Sequence, residues 1–366
     1  METAGLLCYY YFNVLNKKDQ GGFAVKRRML SVLPAMALLA LLWGCAAQAG
    51  PSGPDYAPDE SRRLVVYTSH KEEVWWPIVK EFEERTGIWV DVVYGATSEL
   101  LERLSQEEKA PRADVMFGGG AESLETYREC FTPYACTGAD PVPARFRSPN
   151  DLWTPFSALP VVLVYNTKLV EPGQVARWSD LLDPALKGQI AFTDPAVSGS
   201  SFTGLLTMLY ALGGERDDAI RRFAGNLGGV ELDDSGEVLS AVARGDFLVG
   251  VTLEESALKR MAEGLDIAMV YPEDGTSCVP DGSALVRGAP HPDNARLFLD
   301  FTVSREVQEL LVSQFRRRSV RDDVEPLADL PALDQIPLAD YDIDRAASER
   351  ESILMAWAFY FEENRP

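Results

Sequence analysis

The sequence predicts an α/β protein with doubly wound sheets, and three observations support this. Short apolar strand patterns alternate with amphipathic helix patterns from residue 64 to residue 117, an alternation typical of parallel sheets flanked by helices. Each predicted strand passes through hydroxyl-bearing or glycine residues into the next segment. The length of 366 residues, of which 46% are hydrophobic and 25% charged, suffices for two soluble domains that each have a core.

The strand ends in the N-terminal part place polar residues on one rim of the predicted sheet. The predicted strands cover residues 64–68, 88–94 and 113–117, and the residues that follow them include Ser69, His70, Thr97, Ser98, Gly119 and Gly120. Ligands of such sheets bind beyond the carboxyl ends of the strands. These residues are therefore expected beside a ligand.

A further junction, at Ser198, Gly199, Ser200 and Ser201, follows a short strand over residues 190–192 and opens an apolar helix. A helix N-terminus presents unpaired N–H groups and the positive end of a dipole, and both favour an anion. Capping by Ser198 or Ser200 explains one such junction taken alone. Because the same kind of junction recurs upstream, we favour a binding site.

The net charge of −21 argues against a surface for nucleic acid or for an anionic membrane, since either needs clustered Lys and Arg. An anionic ligand must therefore be held locally, by backbone N–H groups and hydroxyls in a cleft.

The N-terminus is predicted to be a targeting segment. Three basic residues at 26–28 precede an apolar run over residues 29–43 that ends in small residues, which is typical of an export signal. The sequence before Cys45 resembles the lipobox of bacterial lipoproteins, so residues 1–45 are predicted to be a signal peptide with Cys45 lipidated. Cleavage after Ala49 of an A-x-A site is the alternative, and Met29 is an alternative start. Residues 46–61, rich in Pro, Gly and acid, are predicted to form a flexible tether.

Three cysteines follow the leader: Cys130, Cys136 and Cys278. Export to an oxidising compartment favours a disulfide between Cys130 and Cys136, with Cys278 free or replacing either partner. Two histidines in the whole chain and a C-x5-C spacing do not fit a zinc site.

Several stretches resemble one family: LVVYTSHKEEVWWPIVKEFEERTGIWVDVVYGATSELLERL, ADVMFGGG, WSDLLDPALKGQIAFTDPAVSGSSF, AVARGDFLVGVTLEES and SVRDDV. The chain is similar to the bacterial extracellular solute-binding proteins of ABC importers, in the group that contains ferric-ion, phosphonate and sugar-phosphate binders. The resemblance implies a two-lobed type II periplasmic-binding-protein fold, in which each lobe is a doubly wound sheet with flanking helices and a hinge joins them. Lobe 1 is then expected over residues 62–160 and 284–366, and lobe 2 over residues 161–283.

The same resemblance implies a ligand in the cleft between the lobes and a membrane permease that reads the closure of the lobes. Ser69, Thr97 and Gly119 would face Ser198, Ser235 and Glu254 across this cleft. The protein is expected to be exported, anchored by lipid outside the cytoplasmic membrane or periplasmic, and monomeric.

Ferric-ion binders of the group hold the metal with two adjacent tyrosines, a histidine and a glutamate. His70 matches the histidine position, but Leu253, Glu254 and Glu255 stand at the tyrosine position and glycines stand at the glutamate position. Ferric iron needs several anionic oxygen ligands. This departure counts against iron.

The remaining pattern favours an organophosphate, such as a sugar phosphate, or a phosphonate. Hydroxyls and N–H groups would hold the anion, and Glu254 would accept from hydroxyls or pair with an ammonium. Glu254 merely opening a solvated helix, and His70 capping a helix, are the simpler alternatives. Ferric-iron binding and a ligand-sensing surface lipoprotein are the alternative functions. The sequence carries none of the hydrolase, metalloprotease or P-loop motifs, so we expect no enzyme activity, no cofactor and no metal.

Overall fold

The structure is a computed structural model that describes residues 58–365. The predicted signal peptide, the lipidation site at Cys45 and residues 46–57 of the predicted tether lie outside the described residues. Within residues 58–365, no helix combines the length and the apolar sequence needed to cross a membrane.

The first part of the chain alternates strands and helices as predicted. Its elements are β1 (Arg63–Thr68), α1 (Glu72–Thr86), β2 (Trp89–Tyr94), α2 (Thr97–Gln106), β3 (Val115–Gly120) and α3 (Ala121–Thr126). β1 lies between β2 and β3 and pairs parallel with both. The carboxyl ends of these three strands therefore meet on one edge of the sheet, where α1, α2 and α3 begin.

Two strands lead from the first lobe into a second lobe. β4 (Phe131–Thr132) lies in the first lobe, and β5 (Thr154–Asn166) runs from the first lobe into the second. The second lobe continues with β6 (Ile190–Ala191), α4 (Gly199–Leu212), α5 (Arg216–Asn226), α6 (Glu237–Arg244), β7 (Val249–Leu253), α7 (Glu254–Ala262) and β8 (Ile267–Val270). β6 pairs parallel with β7, and β7 and β8 pair antiparallel with the second half of β5.

The return to the first lobe completes the fold with β9 (Cys278–Val286), α8 (Pro292–Thr302), α9 (Arg305–Phe315) and α10 (Ile343–Glu362). β9 pairs antiparallel with the first half of β5 and with β3. The strand order β2-β1-β3-β9-β5-β7-β6 therefore runs without a break from one lobe to the other. The two-lobed α/β fold that the sequence predicts is confirmed, with β5 and β9 as the connecting strands.

Each lobe has its own apolar core. In the first lobe Phe82 and Phe117 pack edge-to-face against Phe298 from α8, at 5.1 Å and 5.4 Å between ring centres. In the second lobe the core is built around Trp178, Phe202 and Phe223. α8 thus brings residues from late in the chain into the first core.

The C-terminal helix departs from the prediction that residues 284–366 belong to lobe 1. Its buried residues Ala346, Ile353, Trp357 and Phe361 join the core of the second lobe. Their spacing puts them on one face of α10, and the indole N–H of Trp357 donates to Glu231 Oε1 at 2.9 Å. β9 also begins at Cys278, earlier than the predicted return at 284. The tail after Phe315 therefore bridges both lobes.

The predicted disulfide between Cys130 and Cys136 is wrong for this structure, because within residues 58–365 both are free thiols, as is Cys278. Cys130 packs in the apolar cluster beneath β3, whereas the Cys136 thiol lies 3.0 Å from the Thr154 hydroxyl beside a different cluster. Burial raises the pKa of Cys136 to about 12, so this thiol remains protonated at physiological pH.

The packing of α10 gives a first prediction. We expect Trp357→Ala to lower the free energy of unfolding by about 3–5 kcal/mol, because it empties a buried aromatic site. Phe359→Ala on the same helix, where the side chain is 59% exposed, should change it by less than about 0.5 kcal/mol. Chemical denaturation followed by circular dichroism measures both, and equal losses would contradict the placement of α10 against the second lobe.

Candidate functional site

A cavity of about 510 Å³ lies between the lobes, within the size range of small-molecule sites. The first lobe contributes the segments after β1, β2 and β3, and the second lobe contributes the start of α4, residues 233–236 and the start of α7. Asp281 on β9 and Arg317 after α9 also line it. The cavity thus lies where the predicted strand ends of the first lobe face the second lobe.

The N-termini of α2 and α4 meet across this cavity. A Cβ atom added to Gly199 would lie 3.1 Å from Thr97 Oγ1, so the two helix ends are in contact. α2 has no side-chain cap. Among the described residues, the N–H groups of Gly199 and Ser200 donate to no protein atom. Two positive helix ends with unpaired donors form a pocket suited to an anion; we call this the donor end.

Ser198 has the capping role that the sequence left open. Its hydroxyl accepts from Ser201 N–H at 3.3 Å and lies 3.1 Å from the Ser200 hydroxyl. The Ser200 hydroxyl has no partner other than Ser198 among the described residues. Ser200 therefore remains able to donate to a ligand, whereas Ser198 is engaged by the helix.

The glycines at the end of β3 are required by the side chains that surround them. Gly118 and Gly119 have φ angles of +111° and +100°, which side-chain-bearing residues rarely adopt. A Cβ on Gly118 would lie 2.7 Å from Ser69 Oγ, and one on Gly119 would lie 2.9 Å from Thr97 Cγ2. The bare backbone lets Ser69, His70 and Thr97 crowd together at the cavity wall.

The bottom of the cavity carries a buried group of charged residues, which we call the charged floor: His70, Asp281, Arg317 and Glu255. Arg317 donates to Asp281 Oδ2 at 3.1 Å and to Glu255 Oε1 at 3.4 Å. Asp281 also accepts from the backbone and the hydroxyl of Ser157, each at 2.7 Å. Because Asp281 and Arg317 belong to the first lobe and Glu255 to the second, the floor links the lobes.

His70 and Arg317 keep donors or acceptors free at this floor. His70 Nε2 lies 3.6 Å from Asp281 Oδ2, beyond hydrogen-bond distance. Within the described part of the chain, His70 Nε2 and Arg317 Nε are buried without a hydrogen-bond partner. Buried polar atoms are nearly always paired, so these two atoms indicate a place for a ligand or for water.

Burial sets the protonation of the floor. Desolvation, helped by the positive charge of Arg317, holds the pKa of His70 well below its usual value. His70 is therefore neutral at physiological pH. Desolvation also raises the pKa of Asp281, against the opposing effects of Arg317 and Ser157.

The cavity mouth is spanned by an ion pair between the lobes. Lys259 on α7 and Glu73 on α1 lie 2.5 Å apart. Lys71 lies near Gly236, within 3.6 Å of a Cβ placed there. These contacts, with that between Thr97 and Gly199, describe a closed arrangement of the lobes.

Most of the residues predicted for the site line this cavity: Ser69, His70, Thr97, Gly119, Gly120, Ser198, Gly199, Ser200, Ser201 and Ser235. Ser98 and Glu254 do not. The Ser98 hydroxyl accepts from Arg350 at 3.2 Å, behind the cavity.

Glu254 is a correction to the prediction. Arg318 holds its carboxylate with two hydrogen bonds of 2.8 Å and 2.9 Å, the Tyr271 hydroxyl also donates to it, and its side chain is 2% exposed. Neighbouring residues on a helix point about 100° apart, so Glu255 faces the cavity while Glu254 faces away. Glu255 thus takes the place that we predicted for Glu254.

Sequence reasoning missed Arg317, Asp281, Lys71 and Lys259. For Arg317 a signal existed, because three consecutive arginines at 316–318 are unusual in a chain of net charge −21. For Asp281 the signal was a carboxylate inside an otherwise apolar strand. Neither signal indicates which side of the fold the residue faces.

No group of three or more His, Cys, Asp or Glu residues placed to bind a metal occurs within residues 58–365. The carboxylates of the charged floor are paired with Arg317, whose positive charge opposes a metal cation.

Comparison with known proteins gives the family. A model of the bacterial extracellular solute-binding proteins matches residues 111–349. An uncharacterized protein of Haemophilus influenzae is 28% identical, over 81% of this chain and 89% of that protein. Iron uptake protein A1 of Synechocystis is 26% identical, over 69% and 74%. A putative 2-aminoethylphosphonate-binding periplasmic protein of Salmonella typhi is 25% identical, over 67% and 73%.

Solved structures agree on the fold. The periplasmic binding protein AfuA of Actinobacillus pleuropneumoniae, with fructose 6-phosphate bound, superposes with a TM-score of 0.76 at 24% identity, over 82% of this chain and 98% of that one. A structure described as a two-component system protein in signal transduction has a TM-score of 0.71 at 30% identity, over 79% and 99%. The fold is that of the type II periplasmic binding proteins, and the chain belongs to the bacterial extracellular solute-binding proteins that serve ABC importers.

Proposed function

We propose that the protein captures a small organophosphate or phosphonate with a polar second end and delivers it to an ABC permease. The observation that carries this proposal is the donor end, where the N-termini of α2 and α4 meet with unpaired N–H groups. Such a pocket binds phosphoryl oxygens through backbone donors and helix dipoles. It needs no excess of Lys or Arg, in keeping with the acidic chain.

The second end of the solute would lie on the charged floor. Glu255 would accept from hydroxyl or ammonium groups. His70, which is neutral and whose Nε2 has no hydrogen-bond partner among residues 58–365, offers one more polar contact. Arg317 holds both floor carboxyl groups by hydrogen bonds. A solute that is anionic at one end and hydroxylated or cationic at the other fits this division of charge. The name of the Salmonella typhi relative is consistent with this class.

A ferric-iron solute is the alternative that a relative's name supports, but the cavity chemistry does not favour it. To be coordinated by Asp281 and Glu255, iron would have to displace Arg317 from both carboxyl groups. The Arg317 guanidinium would then be buried without these partners. Removing one partner of a buried ion pair is strongly unfavourable.

A second candidate is solute sensing, which the 30% identical structure described as a two-component system protein supports. In that case the closed protein would signal to a membrane receptor, and deletion of its gene would abolish a transcriptional response while leaving uptake of the solute unchanged. For either role we propose binding without chemical turnover, by a monomer.

A thermal-shift panel tests the proposed solute class. A solute that binds only the folded protein raises its melting temperature, so we expect a rise with hexose phosphates, phosphoglycerates or 2-aminoethylphosphonate, and none with ferric citrate. Inorganic phosphate, which has the anionic group but no polar second end, is the matched control for the contribution of that second end. A rise with ferric citrate alone would overturn the proposal, as would silence across the phosphorylated and phosphonate solutes.

The donor end can be tested by mutation. We expect Ser200→Ala with Ser201→Ala to weaken binding of the best solute in the panel, by about 1–3 kcal/mol for each charge-assisted hydrogen bond lost. Ser313→Ala, on the exposed surface of α9, is the matched control and should leave the affinity unchanged. Isothermal titration calorimetry measures all three affinities; an unchanged Kd in the double variant would remove the donor-end hydroxyls from the site.

We also propose that Cys45, outside the described residues, carries a lipid that anchors the protein. Cys45→Ser removes the thiol that would be acylated, so the variant should move from the membrane fraction to the soluble fraction on cell fractionation. Cys8→Ser is the control and should stay with the membrane. A wild-type protein found in the soluble fraction would instead support cleavage after Ala49.

A further inference from the structure

A buried polar cluster, which we call the interlobe cluster, lies behind the donor end. It joins Glu122 of α3, Ser98 of α2, Thr203 of α4, and Arg350 and Tyr341 of the tail. The first two residues belong to the first lobe and Thr203 to the second. The interlobe cluster therefore forms only when the lobes are together.

Glu122 is the central residue of this cluster. Its side chain is fully buried, and one carboxylate oxygen accepts from the Thr203 hydroxyl across the lobe boundary. The other oxygen has no hydrogen-bond partner among the described residues. A buried ionised carboxylate is normally surrounded by donors, so this environment suits the neutral acid.

Arg350 does not supply the missing partner. One of its amino groups donates to Ser98 Oγ at 3.2 Å, its guanidinium lies 4.1 Å from the ring centre of Phe202, and Nη1 is without a partner in the described chain. The guanidinium is thus held by the Phe202 ring and by Ser98, and neither of these contacts involves Glu122.

Opening of the lobes would expose Glu122. Thr203 and Phe202 lie on α4 in the second lobe, and the buried face of α10 belongs to the same core through Ala346, Ile353 and Trp357. α10 also packs against α3 of the first lobe, so the tail contacts both lobes. Separation of α4 from α3 breaks the Thr203 hydrogen bond and opens that side of Glu122 to water.

We propose that the interlobe cluster is a proton-linked latch, in which Glu122 takes up one proton as the lobes close and releases it as they open. The proton comes from solvent and resides on the carboxylate oxygen that has no partner. The neutral acid keeps the hydrogen bond with Thr203 without leaving a buried charge. This goes beyond the proposed function, since it concerns closure itself and holds for any solute.

The pH dependence follows from the charges that face Glu122. Burial raises the pKa of its carboxyl, against the effects of Thr203 and Arg350. Burial also raises the pKa of Tyr210 to about 12 and that of Tyr341 well above its usual value, and burial lowers the pKa of Arg350, which Glu122 and Tyr127 oppose.

Between pH 4 and 8 Tyr210 and Tyr341 stay neutral and Arg350 stays charged, so Glu122 is the group of this cluster that titrates. Its pKa is higher in the closed form than in the open form. Closure is therefore favoured below the open-state pKa, about 4.3 for an exposed glutamate, and this advantage is lost as pH rises through the closed-state pKa.

Small-angle X-ray scattering of the full chain without added solute tests the latch, because closure lowers the radius of gyration. From pH 4.5 to 8 the wild-type protein should open progressively, the closed-to-open ratio falling by up to about tenfold per pH unit within the window. Glu122→Gln, which is neutral at every pH, should remove this dependence and stay compact.

Glu125→Gln is the matched control. Glu125 lies on the same helix, is also buried, and accepts from Trp153 of its own lobe at 3.0 Å. This variant should open with pH as the wild type does. A wild-type radius of gyration that does not change with pH would overturn the latch, and so would an unchanged pH dependence in Glu122→Gln. Neither outcome bears on the solute class, which the thermal-shift panel tests separately.

Discussion

The antiparallel pairing of β5 with β9 is the constraint on which both lobes and the cavity depend. β5 pairs with β9 as far as Pro160 and with β7 from Val161 onward, so one continuous strand belongs to both lobes. The first-lobe half of this pair carries Ser157 and Asp281, which hydrogen-bond each other and recruit Arg317. A buried carboxylate without these partners would be unfavourable by several kcal/mol. The charged floor is therefore fixed to the strands about which the lobes move.

The net charge of the whole chain does not determine the electrostatic interactions inside the cavity. The chain carries −21, yet the donor end consists of backbone N–H groups and hydroxyls whose favourable effect on an anion is local. The charged floor pairs Arg317 with the carboxyl groups of Asp281 and Glu255, so the positive charge of the guanidinium is engaged within the floor. The short range of these interactions, with salt screening outside the cavity, allows an acidic protein to offer an anion site.

The sequence predicted the features that depend on local pattern. Strand and helix periodicity gave the first-lobe strands, and the polar residues after them lie at the cavity because parallel strands bring their carboxyl ends together. The sequence did not predict features that depend on long-range packing. Whether Glu254 or Glu255 faces the cavity depends on the rotation of α7 against Arg318. The position of α10 depends on a core formed by residues more than a hundred positions away, and Arg317 reaches the floor from beyond α9.

The contacts between the lobes suggest why a solute would favour the closed form. Beside β5, the Arg318 carbonyl accepts a hydrogen bond from Ala158 N–H, and the Arg318 side chain holds Glu254 at the start of α7. Farther away, closure brings the N-termini of α2 and α4 into contact. Two positive dipole ends that face each other repel, so the empty closed form carries an unfavourable electrostatic interaction at the donor end. An oxyanion between the two ends turns this repulsion into two attractions, and it has no such effect in the open form, where the ends are apart. That difference in interaction energy between the two forms is what a solute needs in order to shift the equilibrium toward closure.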